Sequence, residues 1–192
     1  MDHGSVSLTL YVAQAQPVLD ALVRDGQCYS RVEYVRWKYG ESAPVFLTAY
    51  NWFVQQLPRF VPKPQEAEFP YWAFRELYSL DQVGTVGVLK LQVPADQAVL
   101  FDMNDWTKIT QLRYIGTDAA DERAFAKELS ARGINWNQVM LTSFYPDLQR
   151  QIYDSWQRLF RHHEALLRGE DCGVRQVQAG LWQLRREWVQ EN

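Results

Sequence analysis

The sequence predicts an α+β fold, a small central sheet packed by several helices in a single domain spanning residues 1–192. Three observations predict it. Residues 86–106 hold the strongest strand signal, a turn and a second apolar run ending in an acidic pair. The stretches before and after that segment carry mostly helical spacing. Apolar segments run from Leu8 to Val189 with no repeat, low-complexity tract or linker between them.

The predicted central strand is Val86 to Val93, where Val86, Val88, Leu89, Leu91 and Val93 partly alternate with Gly87, Lys90 and Gln92. Pro94-Ala95-Asp96 ends it, since proline has no N–H for a ladder and Asp favours turns. Ala98 to Phe101 reads as a second strand. In order from the start, Leu8 to Val12 is a strand with Leu8, Leu10 and Val12 on one face, Thr9 and Tyr11 on the other, and Gln14 at its end. Pro17 to Arg24 is a short helix stopped at Gly26. Residues 31–38 mix aromatics and charges without a period and receive no assignment. Pro44 to Leu57 is a helix ended by Pro58, and residues 58–70, with four prolines, form a loop or extended crossover. Tyr71 to Leu80 reads as a helix opened by Pro70. Further helices are expected over Asp105–Ile115, Asp121–Ala131, Trp136–Leu141 and, longest of all, Asp147–Leu167. Val174 to Val189 fits either a strand or a helix.

A length of 192 residues with 47% hydrophobic content supports one sizeable core. No run approaches the roughly 20 apolar residues of a membrane span, and the start lacks a secretory pattern. The net charge of −3 argues against general nucleic-acid binding. Two cysteines, Cys28 and Cys172, are too few for a disulfide framework or a four-ligand zinc site; both read as reduced, buried thiols of a cytoplasmic protein. Adjacent His162 and His163 diverge on a helix and His3 sits in the terminus, so no metal site is expected. Gly84-Thr85-Val86-Gly87 precedes a strand, unlike phosphate-binding glycine loops, and reads as a turn. Aromatic residues reach 14%, with eight tryptophans, enough for core packing and a pocket wall.

Candidate site residues follow from these positions. Asp102 and Asp105 end the strand pair, where they serve either as paired carboxylates or as a helix cap and first-turn acid, the latter being the commoner arrangement. Glu187 is an alternative late acid. Tyr11, Gln14, Tyr71, Trp72 and Trp106 are the candidate ligand-binding groups: rings for stacking, and an amide that offers donors and an acceptor. Gln178 and Gln183 are further polar groups embedded in apolar runs and need partners if buried.

The ordered motifs Tyr11-Val12-Ala13-Gln14, Ala49-Tyr50-Asn51-Trp52, Phe69-Pro70-Tyr71-Trp72-Ala73-Phe74, Val88 to Val93, Asp102 to Trp106, Gln178-Ala179, Leu181-Trp182-Gln183-Leu184 and Glu187-Trp188-Val189 resemble the bacterial family called domain of unknown function 3841. Sequences of that pattern often carry an acid where this chain has Gln183 and a histidine where it has Thr107. The early strand, helix and Gly26, followed by aromatic helices and a strand pair, are more loosely similar to ADP-ribosyltransferase-like domains. That resemblance implies NAD in a cleft of a split sheet, an early Arg or His, a central Ser or Tyr and a late Glu. The early position falls near Tyr11 to Gln14, where neither Arg nor His stands. Two functions are therefore expected: a nucleotide-binding, ADP-ribosyltransferase-like enzyme with NAD as the candidate cofactor and Asp102, Asp105 and Glu187 as candidate catalytic acids, or a non-catalytic module that engages a protein partner through its aromatics.

Overall fold

The computed structural model describes residues 6–80 and 87–190. Its first strand, β1 (Ser7–Gln14), is followed by a ten-residue helix, α1 (Gln16–Asp25), with proline in its first turn. Gly26 ends that helix in the left-handed conformation (φ 73°), which costs glycine no Cβ clash. A short strand β2 (Gln27–Tyr29) leads to α2 (Val32–Tyr39) and then to α3 (Ala43–Gln56). After the proline-rich crossover come β3 (Tyr71–Phe74), β4 (Gly87–Pro94) and β5 (Val99–Asp102). Four helical segments follow: α4 (Met103–Thr110), α5 (Ala119–Ala131), α6 (Trp136–Met140) and α7 (Pro146–Trp156). The chain closes with α8 (His163–Leu167), β6 (Val177–Leu181) and β7 (Gln183–Arg185).

Five strands form an antiparallel sheet in the order β4-β1-β3-β6-β5, and β2 pairs with β7 in a separate ribbon. Both sheet edges are protected from further pairing. Val189 and Gln190 lie along β4, through the Leu91–Val189 bridge and the Gln190 N–H to the Lys90 carbonyl. On β5 the Leu100 N–H donates to His163 Nδ1 at 3.1 Å.

Strand alternation divides the apolar residues between two cores. On one face Leu8, Leu10, Val12, Leu91, Val93, Tyr71, Ala73, Val177, Ala179 and Leu181 are covered by Leu22 of α1, Leu166 of α8, Leu184 of β7 and Trp188. On the other, Trp72, Val99 and Phe101 meet Phe53 and Tyr50 of α3, Trp106 of α4 and Trp156 of α7. Helix α3 approaches the sheet over Gly180, where a Cβ would fall 2.7 Å from the Phe53 ring. Trp182, between β6 and β7, donates its indole N–H to the Val61 carbonyl at 3.0 Å and pins the crossover.

Several expectations are corrected. The run from Val86 forms β4, with Val86 itself outside the described residues, but it is an edge strand; the central position belongs to β3. Tyr71–Phe74 is therefore strand rather than helix, with a 3-10 turn at Leu77–Ser79. Its aromatics are apolar on both faces, so it lacks the alternation that marks a half-exposed strand. The expected 147–167 helix is broken by a 3-10 segment at Gln157–Phe160. The helix expected over 105–115 ends at Thr110, because buried Leu112 takes φ 57°. Residues 32–39, left unassigned, are helical, and 177–185 resolve as strands. Cys28 and Cys172 are free thiols, each half-buried rather than buried. His3 and most of the Gly84–Gly87 turn lie outside the described residues.

Candidate functional site

The helices cover only part of their sheet face. Across it, strand register sets Lys90, Tyr11, Phe74, Gln178 and Phe101 in one row, each paired with the next. Neighbouring strands lie about 4.8 Å apart, so the row runs some 19 Å from rim to core. Lys90 is exposed, Tyr11 and Phe74 are half-buried, Gln178 is 4% exposed, and Phe101 is fully buried. Thr9 and Gln92 pair beside this row, and the Gln92 amide donates to Thr9 Oγ1 at 2.8 Å. The result is an open shelf on β1 and β4 that deepens toward the helices.

Trp72 stands one row along from Phe74, on the same face, and marks the boundary of the covered part. Its ring centroid is 4.5 Å from Trp106, 5.0 Å from Phe53 and 5.2 Å from Tyr50. Burial, and then the neighbouring Tyr39 hydroxyl at 3.1 Å, hold the Tyr50 hydroxyl well above its ordinary pKa, so it is neutral. Gln178 sits beside this cluster, and its side-chain amide makes no hydrogen bond to another described residue, although the fully buried side-chain polar atom left unpaired among the described residues is Ser79 Oγ. An amide has two donor hydrogens and an acceptor oxygen to satisfy, which makes it the polar group of this shelf best placed to read a ligand.

Of the expected ligand-binding residues, Tyr11, Trp72 and Trp106 share this side of the sheet. Tyr71 does not: alternation sends it to the opposite face, where its hydroxyl donates to Cys28 Sγ at 3.0 Å. Burial raises the Tyr71 pKa far above the usual phenol range, with the Cys28 bond adding to it. Gln14 pairs with Gly87 at the far end of β1 and is half-buried. Near Tyr71, Gln183 is buried with its amide between the Tyr29 hydroxyl (3.2 Å) and Arg185 Nε (3.1 Å).

The three acids are dispersed and each is occupied. Asp102 caps α4, its Oδ1 accepting from the Asn104 N–H at 2.8 Å. Asp105 is 2% exposed and pairs with Arg161 at 2.9 Å and Lys108 at 3.3 Å. Burial alone would lower the Lys108 pKa, but the Glu122 and Asp105 carboxylates outweigh it and hold it above the usual value. Glu187 is exposed and paired with Arg185 at 3.1 Å. Thr107 is exposed and bonds back to the Met103 carbonyl. Burial pushes the His163 pKa down, which suits the acceptor role of its Nδ1. Among the described residues no three His, Cys, Asp or Glu side chains gather as a metal-ligand set, and no helix is long and apolar enough to cross a membrane.

Gln178 stood out in the sequence as a polar residue in an apolar run, but only register places it beside Tyr11 and Phe74. Lys90 gave no signal beyond strand alternation.

The fold and this shelf define an α+β protein with an antiparallel sheet, closed on one face and half-open on the other. The chain belongs to the family described as domain of unknown function (DUF3841), whose model matches residues 9–190. No curated protein and no solved structure matches it. The family membership carries no activity, and it lends no support to a likeness with ADP-ribosyltransferase domains.

Proposed function

We propose that the chain is a binding module for a small ligand with a planar ring, a nucleotide such as NAD being the first candidate, and that the open shelf is where it binds. The row Lys90-Tyr11-Phe74-Gln178 carries this reading: two half-exposed rings supply stacking area, an amide without a hydrogen-bond partner among the described residues supplies edge recognition, and a rim ammonium suits a phosphate. Binding is favoured over transfer chemistry because Asp102, Asp105 and Glu187 each have a protein partner and none lies in this row. Isothermal titration with NAD, ADP-ribose and ATP tests it. Saturable heat with at least one of them, weakened about tenfold by Gln178→Leu and by Tyr11→Ala, is the expected result. No heat at millimolar ligand with folded protein overturns it.

A second reading, a protein-interaction module, has its own observation. On α2, Trp37 is 88% and Tyr34 54% exposed, one turn apart and flanked by Arg36 and Lys38. Glu33 lies one turn before Trp37 on the same face, so this face suits a segment that brings an apolar anchor to the two rings. Fluorescence polarisation of a labelled amphipathic peptide, with loss of binding in Trp37→Ala, would favour it; equal binding by wild type and variant would remove it.

A further inference from the structure

A groove of about 620 Å³ opens between the end of α4 and the start of α6, well within the range of about 300–1,000 Å³ typical of small-molecule sites. Trp136, the first residue of α6, is the ring in its lining. That ring is held from behind: it stacks on Phe125 at 5.7 Å, and Phe125 stacks on Tyr114 at 4.4 Å. The Asn135–Gln138 capping box fixes the backbone that presents it. On the facing wall, the left-handed turn at Leu112 buries that residue completely and leaves Gln111 and Arg113 exposed on either side of it. The Arg113 carbonyl is anchored by the Trp156 indole N–H at 2.7 Å, and its exposed guanidinium lies over the Trp136 ring, 5.8 Å from the ring centre, so a ligand stacks on that ring as this side chain swings aside to pair with it.

The chemistry of the lining is specific. It contains one ring, one guanidinium, four amides and a hydroxyl, and no carboxylate. Asn135 and Gln138 are committed to the cap, whereas the side chains of Gln111, Asn137 and Arg113 have no hydrogen-bond partner among the described residues. Amides both donate and accept, which is what a sugar hydroxyl also does. An indole face packs against the C–H face of a pyranose, and a guanidinium pairs with an acid in a bidentate fork. We infer that this groove is a binding site for an acidic monosaccharide, a pyranose carrying a carboxylate or a phosphate: Trp136 stacks on the ring, Gln111 and Asn137 bond its hydroxyls, and Arg113 pairs with its acid group. The site is separate from the shelf on β1 and β4 and does not depend on it.

Indole N–H resonances of ¹⁵N-labelled full chain provide the test, with glucuronate, glucose 6-phosphate, glucose and inorganic phosphate as probes. The Trp136 signal is expected to shift and saturate with glucuronate or glucose 6-phosphate, the stronger of the two identifying the acid. Glucose should bind about tenfold more weakly. Arg113→Gln should erase the preference for acid over neutral sugar, and Asn137→Ala, on an exposed position, should weaken both without altering the rest of the spectrum. Saturation by inorganic phosphate as tight as by glucose 6-phosphate, equal binding of glucose, or no Trp136 shift at millimolar probe would each overturn the assignment.

Discussion

Leu8, Leu10, Val12, Leu91, Val93 and Leu181 face one way from the five-stranded sheet; Tyr11, Trp72, Phe74, Gln178 and Phe101 face the other. The first set is mostly aliphatic and is sealed by α1, α8, the β2–β7 ribbon and Trp188. The second is aromatic, sealed by helices at the β5 and β6 end only. Branched aliphatic side chains close-pack against a ribbon and lose all contact with water, which serves stability. Aromatic rings tolerate a wet edge and retain a directional surface, and an amide left without a partner gains nothing for the fold. The closed face thus supplies stability, and the half-open face is where recognition is expected.

The largest test of this contrast is removal of residues 174–192. Strand β6 contributes Val177, Ala179 and Leu181 to the closed face and Gln178 and Gly180 to the open one, between β3 and β5. Its loss should abolish cooperative unfolding, measured by calorimetry. A sharp transition at a similar temperature in the truncated chain would mean that the two cores are independent.

Neighbouring residues on β1 give a finer comparison. Leu10 is fully buried on the closed face, so Leu10→Ala should cost about 3 kcal/mol in urea unfolding, whereas Tyr11→Ala should cost less than about 1 kcal/mol. Equal costs would show the shelf to be a working part of the core.

The pH dependence isolates one contact at the edge of the sheet. Burial lowers the His163 pKa from its ordinary 6.5, so just below that pH the unfolded chain binds more protons than the folded one. This contribution is fully present above about pH 6.5 and declines as pH falls through the folded pKa. The slope is at most about 1.4 kcal/mol per pH unit. His163→Gln should flatten unfolding free energy between pH 7 and pH 5; an unchanged slope would assign it to other groups. Asp102→Ala should cost about 1 kcal/mol and Asp102→Asn about half or less, as expected of a helix cap.

The closed face was the more legible part of the molecule. Alternation in Leu8–Val12 announced which residues point inward, and the Asp102 cap followed from residue type and spacing. The helix-side face was harder, because Trp72, Phe74 and Phe101 sit in runs that are apolar at every position, so neither period nor propensity separates strand from helix at Tyr71–Phe74. Cross-strand register is non-local and brings Gln178 beside Phe74 from about a hundred residues away. The Trp136 groove depends on the left-handed turn at Leu112, a residue type that rarely adopts it and so gives no advance notice.

The smallest expected change is also the most discriminating. Gln178→Leu replaces an amide that has no hydrogen-bond partner among the described residues with an apolar side chain of similar size, among Phe74, Phe101 and the aromatic cluster. A side chain kept for folding would lose stability on this change, because a hydrogen bond would be broken. One kept for a ligand would not, because no hydrogen bond within the described fold is lost, and the variant should unfold at about the same temperature as wild type. Tm and ligand titration on the same sample separate these roles. Unchanged Tm with about tenfold weaker binding assigns Gln178 to recognition. A clear fall in Tm would show that it bonds within the fold, and the open face would then owe its shape to packing alone.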